Sequence, residues 1–352
     1  MLDSLYTEAL RKRGSIQGDI EELIDKEIDI NKYWTTEAVK PNDSDIVLAA
    51  GDGSFNKKKF LSFYLYAVDA VALIHKPGDE LKSVESVELD IMGHQNFVDE
   101  RLRNLMSIFE IKTALKALSK ENIDFYMDDG SILGDLIRPI PIEKSITRED
   151  KKVIANRLLD EIKTEDEISS FKFKSEFEDL FKDKDERSLL TYLETIEHLI
   201  ALKNLLNYRE NIIAISKTST SDDLIHNPYV PDMAILDKLT RHQGYSKPIY
   251  KKVDSEAKRE FPVYNNFFRD LWFTTFFARL EDNKNIIKVE LPYYADEDRI
   301  RDIIAVIKSN ATDGYPYLLK KAHNDVVIKS RDIENLSNIL EILDKSGREM
   351  LN

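Results

Sequence analysis

Three acidic residues carry the chemistry this chain could do. Asp52 stands in Gly51-Asp52-Gly53-Ser54, directly after the apolar run Ile46-Val47-Leu48-Ala49-Ala50. Asp129 stands in Asp129-Gly130-Ser131, after Ile123-Asp124-Phe125-Tyr126-Met127-Asp128. Glu110 lies on the helical stretch just before the second run. A strand tip is a rigid mount, and glycine after the acid lets the backbone turn sharply where a ligand must come close. Two carboxylates on neighbouring strand tips, with a third from a helix, suit hard divalent cations. The chemistry that follows is metal-assisted cleavage of a phosphodiester.

Each signal has an ordinary alternative. Asp-Gly is a common turn dipeptide, so one copy means little, whereas two copies closing apolar strands are more specific. Asp128 competes with Asp129, but successive strand residues face opposite ways and only one should enter the site. Asp129 is favoured because it matches Asp52 in preceding Gly-Ser. Glu110 shares a helix row with Met106, Ala114 and Ala117, beside Leu102, Leu105 and Phe109. A lone glutamate usually reaches water from the edge of such a stripe. Buried there it is costly, and a cation would offset that cost.

Composition narrows the class. At 352 residues the chain can bury a sizeable core as about two domains, or as one with a large insertion. It has no cysteine, which excludes disulfides, zinc-thiolate sites and thiol nucleophiles. No segment reads as a signal peptide, and no apolar run approaches the ~20 residues of a membrane span. A cytoplasmic protein is expected. The net charge of −14 argues against a general coat for nucleic acid. It leaves room for a nuclease, because a metal and a local basic groove can place positive charge where phosphate passes.

Leu2, Leu5, Leu10, Ile16, Ile20 and Leu23 recur at roughly helical spacing, so residues 1–44 read as a helical extension packed on the body or on a second subunit. Strands are expected at 45–50, 59–67 and 84–89, followed by a helix over 97–119 and a strand at 123–127. The charged region 141–207 reads as a helical insertion, after which 211–216 resumes as a strand. Further strands are expected at 272–280 and 286–291, with helices at 296–309 and 332–345. Strand-strand-strand-helix-strand-helix-strand is the order of a ribonuclease H-like α/β fold. The expected architecture is a mixed sheet flanked by helices, spanning 45–352, with helical extensions at both ends.

On these residues the chain resembles the NurA nucleases, which work with the hexameric HerA translocase in DNA end resection. The resemblance runs from about Ile46 to Leu336 and rests on Gly51-Asp52-Gly53-Ser54, the central helix with Glu110, and Asp129-Gly130-Ser131. Ile213-Ala214-Ile215-Ser216-Lys217-Thr218-Ser219 and Gly314-Tyr315-Pro316-Tyr317-Leu318-Leu319-Lys320-Lys321-Ala322-His323 fit as well. It implies metal ligands at Asp52, Glu110 and Asp129, with Tyr315 and His323 lining the site and Lys217 near the phosphate. It also implies a homodimer with a central DNA channel and a preference for Mn²⁺. The helical insertion and acidic balance depart from that pattern.

Chemistry gives these residues reasons. Two cations, Mn²⁺ with Mg²⁺ as substitute, would activate water and stabilise the leaving oxygen. His323 could ligate the second ion or carry a proton. Tyr315 could orient a phosphate or stack on a base. Lys217 suits a phosphate oxygen. The resemblance implies exonuclease and single-strand endonuclease cleavage in end resection, break repair or defence. Two other readings stand beside it. An actin-like ATPase would bind and hydrolyse nucleotide without DNA. A non-catalytic adaptor for a translocase would carry the acid cluster without cleaving.

Overall fold

The structure is a computed structural model that describes all residues except 1, 23–27, 43, 139–145, 162–185, 259 and 343–352. In chain order its elements begin with helix α1 (Asp3–Glu22) and strands β1 (Trp34–Thr36), β2 (Leu48–Lys59), β3 (Phe63–His75) and β4 (Lys82–Gly93). Helix α2 (Val98–Lys120), strand β5 (Phe125–Asp129), helices α3 (Ile132–Ile137), α4 (Arg148–Glu161) and α5 (Glu186–Leu205), and strand β6 (Ile212–Ser216) follow. Then come α6 (Asp232–Leu239), β7 (Gly244–Ser246), β8 (Ile249–Lys252), α7 (Val253–Glu256), α8 (Asn265–Arg269), β9 (Trp272–Arg279) and β10 (Ile287–Leu291). After these come α9 (Glu297–Ser309), a ribbon of β11 (Ala311–Thr312) and β12 (Tyr315–Pro316), α10 (Tyr317–Val326) and α11 (Ser330–Ile339).

Among the described residues ten strands form one mixed sheet in the order β1-β7-β9-β10-β6-β5-β2-β3-β4, with β8 also paired to β9. β2, β3 and β4 are an antiparallel meander, while β5 runs parallel to β2 and β6 parallel to β5. Successive strand residues point to opposite faces, and here each face has its own apolar core. Ala49, Tyr126, Ile212 and Ala214 pack with α2 and α5 on one side. Leu48, Ala50, Met127, Ile213 and Ile215 pack with α9 and α10 on the other. Burial on both faces explains why these strands are continuous apolar runs.

The first strand differs from expectation in a way that matters for the site. β2 does not stop at Asp52. It continues through Gly53 and Ser54 to Lys59, every residue paired with β3 from Leu48↔His75 to Lys59↔Tyr64. The chain turns later, at residues 60–62, where the Phe60 N–H donates to Phe63 O and the two rings stack at 4.9 Å. The expected strand at 59–67 is therefore a hairpin turn followed by the start of β3.

The N-terminal 44 residues are not wholly helical either, because Trp34–Thr36 adds β1 to the sheet edge beside β7. α1 exposes Leu5, Leu10, Ile16 and Ile20 rather than packing them on the body. In the region 141–207, α4 and α5 are helical as expected, while 141–145 and 162–185 lie outside the described residues. The expected helix at 332–345 is α11, with 343–345 outside the described residues. Among the described residues no helix is long and apolar enough to cross a membrane.

Candidate metal centre

The ladder between β2 and β5 ends at Gly51↔Asp128, yet β2 runs on for eight more residues. Past that point β2 has an open flank, paired with no further strand among the described residues, and Asp52 is its first residue there. Asp52 is buried, with Oδ1 accepting from the Gly53 N–H at 2.9 Å and Oδ2 2.7 Å from His323 Nδ1. Burial and the nearby Asp129 push the Asp52 carboxyl above its ordinary range, against the opposing pull of His323.

Asp129 closes β5 on the same face. The backbone beyond it is pinned three ways: the Gly130 N–H donates to Ile215 O, Ser216 Oγ donates to Gly130 O, and Ser131 caps α3 through the Gly134 N–H. Glu290, buried on β10, accepts from Ser131 Oγ at 2.9 Å and from the Leu133 N–H at 2.7 Å. This carboxylate has no sequence signal of its own, because β10 meets the corner only through the sheet. Asp129 Oδ2 is itself 2.6 Å from Lys217 Nζ, presented just after β6.

The C-terminal segment supplies the rest. Gly314 has φ +75°, and a Cβ there would lie 2.5 Å from Lys284 Cβ, so only glycine fits this corner. It sets Tyr315, whose ring lies 5.4 Å from Lys217 Nζ and whose buried hydroxyl faces the acidic pair without closing a well-formed hydrogen bond. α10 then buries Leu318, Leu319 and Ala322 in the core. One turn beyond Leu319, His323 sits over Asp52, half-exposed. One ligand atom each from Asp52, Asp129 and His323 all lie within 4.8 Å of one another. Two carboxylates and an imidazole are a donor set that suits Mn²⁺ and related divalent ions.

Glu110 comes from the other side of the sheet. It lies against the β2 backbone at Gly53, where a Cβ would be 2.6 Å from its Cγ and 2.8 Å from its Oε1. Gly51 likewise admits the Tyr126 hydroxyl, 1.8 Å from where a Cβ would be. Both glycines therefore serve close approach within a strand rather than a turn. Burial drives the Glu110 carboxyl well above its ordinary range, helped by Asp128 and then Asp52. Asp128 points to this helix side, so the structure groups Asp52, Asp129 and His323 on one face and Glu110 with Asp128 on the other. Asp69 is a further acid missed in the sequence; it pairs with Ser54 across the β2–β3 ladder, and burial lifts its carboxyl to about 7.

Burial raises the Asp128 carboxyl to about 8, with Asp135 and Asp129 adding repulsion. Unfolded, it would titrate near ~3.9. Between these values the folded chain keeps a proton that the unfolded chain has released. This contribution is full below about pH 4 and is lost as pH rises through about 8. Metal-free protein should thus lose denaturant stability over that window, with a slope of up to about 1.4 kcal/mol per pH unit from this group. Asp128→Asn should flatten the profile measured in chelator. A wild-type midpoint that climbs between about pH 5 and 8 would contradict the assignment.

Fold and site define an α/β protein with a carboxylate–histidine cluster beside an open strand flank, of the kind that can hold a divalent cation. The chain belongs to the NurA family, whose domain it matches over residues 46–328. It is 30% identical to the probable DNA double-strand break repair nuclease NurA of Methanocaldococcus jannaschii, across 97% of this chain and 90% of that protein. It is 28% identical to the DNA double-strand break repair nuclease NurA of Sulfolobus acidocaldarius, across 98% and 97% of the two chains. The crystal structure of the NurA nuclease from Sulfolobus solfataricus superposes with a TM-score of 0.75 at 25% identity, covering 97% of each chain. A NurA crystallised with dAMP and manganese shares the fold at a TM-score of 0.73 and 16% identity, across 99% of this chain and 100% of that one.

Proposed function

We propose that the chain is a metal-dependent DNA nuclease that cleaves phosphodiesters as an exonuclease and single-strand endonuclease, in end resection, break repair or defence. The observation that carries this is the convergence of Asp52, Asp129 and His323 beside the open flank of β2. It is reinforced by membership of a family whose curated relatives are called DNA double-strand break repair nucleases. The fold reads as ribonuclease H-like. Supporting that are the β2-β3-β4 meander, the crossing helix α2, and β5 and β6 parallel to β2, giving the local order β4-β3-β2-β5-β6. In this reading 45–352 is the nuclease domain, 1–44 an extension and 141–207 an insertion.

Asp52, Asp129 and His323 are the ligands for a divalent cation, with Glu110 as the donor from the helix side for a second ion. Mn²⁺ is the preferred metal and Mg²⁺ a substitute. Such ions supply positive charge beside a phosphodiester and make water a nucleophile at neutral pH. Lys217, held by Asp129 over the Tyr315 ring, offers a charge to a phosphate oxygen. Tyr315 presents a hydroxyl to orient the same group. Apart from ligation, His323 can hold a proton for the leaving oxygen, since its half-exposed ring has one nitrogen on Asp52 and a second to exchange.

The protein works in the cytoplasm as a homodimer on a HerA-type hexameric ATPase that feeds DNA to it. Supporting an interface are the apolar residues Leu5, Tyr6, Leu10, Ile16 and Ile20 that α1 leaves exposed. A two-fold dimer is the default closed assembly. The test is cleavage of end-labelled single- and double-stranded DNA with Mn²⁺, Mg²⁺, Ca²⁺ or EDTA, with and without the translocase, alongside size measurement. Cleavage should require Mn²⁺ or Mg²⁺ and vanish in EDTA, with Ca²⁺ supporting it poorly because of its larger, looser coordination. Full cleavage in EDTA would sink the mechanism. A strict monomer that ignores the translocase would sink the assembly alone.

A further inference from the structure

α2 carries Glu110 on its sheet side, and on its opposite side it makes an unusual contact. Arg101 and Lys112 are eleven residues apart, three helical turns, so they share a face. That face lies roughly 200° round the helix from Glu110, at about 100° per residue. Against it packs α5. Arg101 grips Glu194 through Nε and Nη2, with contacts of 2.6–3.0 Å. Lys112 Nζ donates to Glu197, and between them Ser107 Oγ meets His198 Nε2 at 3.1 Å. Glu194 and Glu197 have no exposed surface.

The arrangement is asymmetric. Partners spread over about 16 Å of α2, at 1.5 Å per residue, converge on a single turn of α5. An interface of leucines tolerates sliding and rotation by small repacking. A guanidinium fork and an ammonium aimed at two fixed carboxylates do not, because either movement strands a buried charge. Buried ion pairs add little net stability over well-packed apolar residues, so energy alone does not account for them. Their placement directly behind Glu110 does.

We propose that α5 is a register clamp for α2. Glu194 and Glu197 act as positioning residues that fix the rotation and axial height of the helix bringing Glu110 against Gly53. The clamp rests on the nuclease reading above, in which Glu110 is a metal donor. A displacement of about 1 Å in such a group can cost on the order of 100-fold in rate, so a slipped helix should be visible in turnover.

The test compares three variants of the full chain with wild type. Glu197→Gln removes one charge with almost no change in shape. Lys112→Arg keeps the pair. The double variant Lys112→Met with Glu197→Leu replaces it by packed apolar side chains. For the double variant we expect thermal stability equal to or above wild type, turnover lower by about 10- to 100-fold, a higher Mn²⁺ concentration at half-maximal activity, and an unchanged KM for DNA. Lys112→Arg should retain wild-type values. In the metal-free protein, amides of α2 around residues 106–114 should exchange faster in Glu197→Gln than in wild type. If the double variant is stable and turns over at the wild-type rate, or α2 exchange is unchanged in Glu197→Gln, the clamp is overturned. Wild-type protein that shows no metal-dependent cleavage would instead overturn the underlying reading, and the exchange measurement separates the two failures.

Discussion

Asp52→Ala should abolish metal-dependent cleavage, lowering turnover on the order of a thousand-fold or more, as expected when several kcal/mol of transition-state charge stabilisation are removed. The fold should survive. Asp52 lies on a strand paired at every residue with β3, and its side chain belongs to no apolar cluster. The loss leaves His323 without its 2.7 Å partner and Asp129, held by Lys217, as the one strand carboxylate of the cluster. Asp129→Ala should match it in size. Asp128→Ala should retain more activity, because Asp128 points to the α2 side while Asp129 faces His323. The reverse ranking, measured on folded protein at saturating Mn²⁺, would show that the cation is held from the helix side.

Gly53→Ala should give nearly as large a loss through one methyl group. A Cβ at 53 would stand 2.6 Å from Glu110 Cγ, closer than real contacts allow, and β2 cannot retreat because its ladder with β3 holds it. Glu110 must move instead. Turnover should fall by about 10- to 100-fold if that carboxylate serves the reaction, with circular dichroism unchanged. Gly51→Ala provides the contrast. Its Cβ would run into the buried Tyr126 hydroxyl at 1.8 Å, so it should mainly cost stability, about 1–3 kcal/mol as for other overpacked cores. Wild-type turnover in Gly53→Ala would remove Glu110 from the site.

Much of this was legible in the chain because the signals are local. Apolar runs at 46–50, 123–127 and 211–216 fall on or beside β2, β5 and β6, since strands buried on both faces need continuous apolar residues. Asp52 and Asp129, singled out by type and context, and Lys217, Tyr315 and His323, implied by the family resemblance, lie together in the structure. What escaped is long-range. The glycines around Asp52 look like turn residues when read locally, but they answer to Tyr126 and Glu110, which only the tertiary fold brings near. Glu110 was expected beside the strand acids, and it lies against Gly53 of the same strand, next to Asp52 in sequence, from the α2 side. β1, β7 and β8 are too short to carry a period, and Glu290 meets Ser131 from a strand 159 residues further along the chain. The α5 clamp is invisible for the same reason, because a charged helix reads as a solvated one.

The pairing of Asp52 with His323 joins residues 271 positions apart. A ribosome delivers β2 long before α10, so the growing chain holds its acids through the intervening synthesis without the imidazole, Tyr315 or the helix that seats them. In the nuclease reading, a nascent or prematurely terminated chain is silent toward the cell's own DNA. Synthesis and docking of α10 is then the step that arms it.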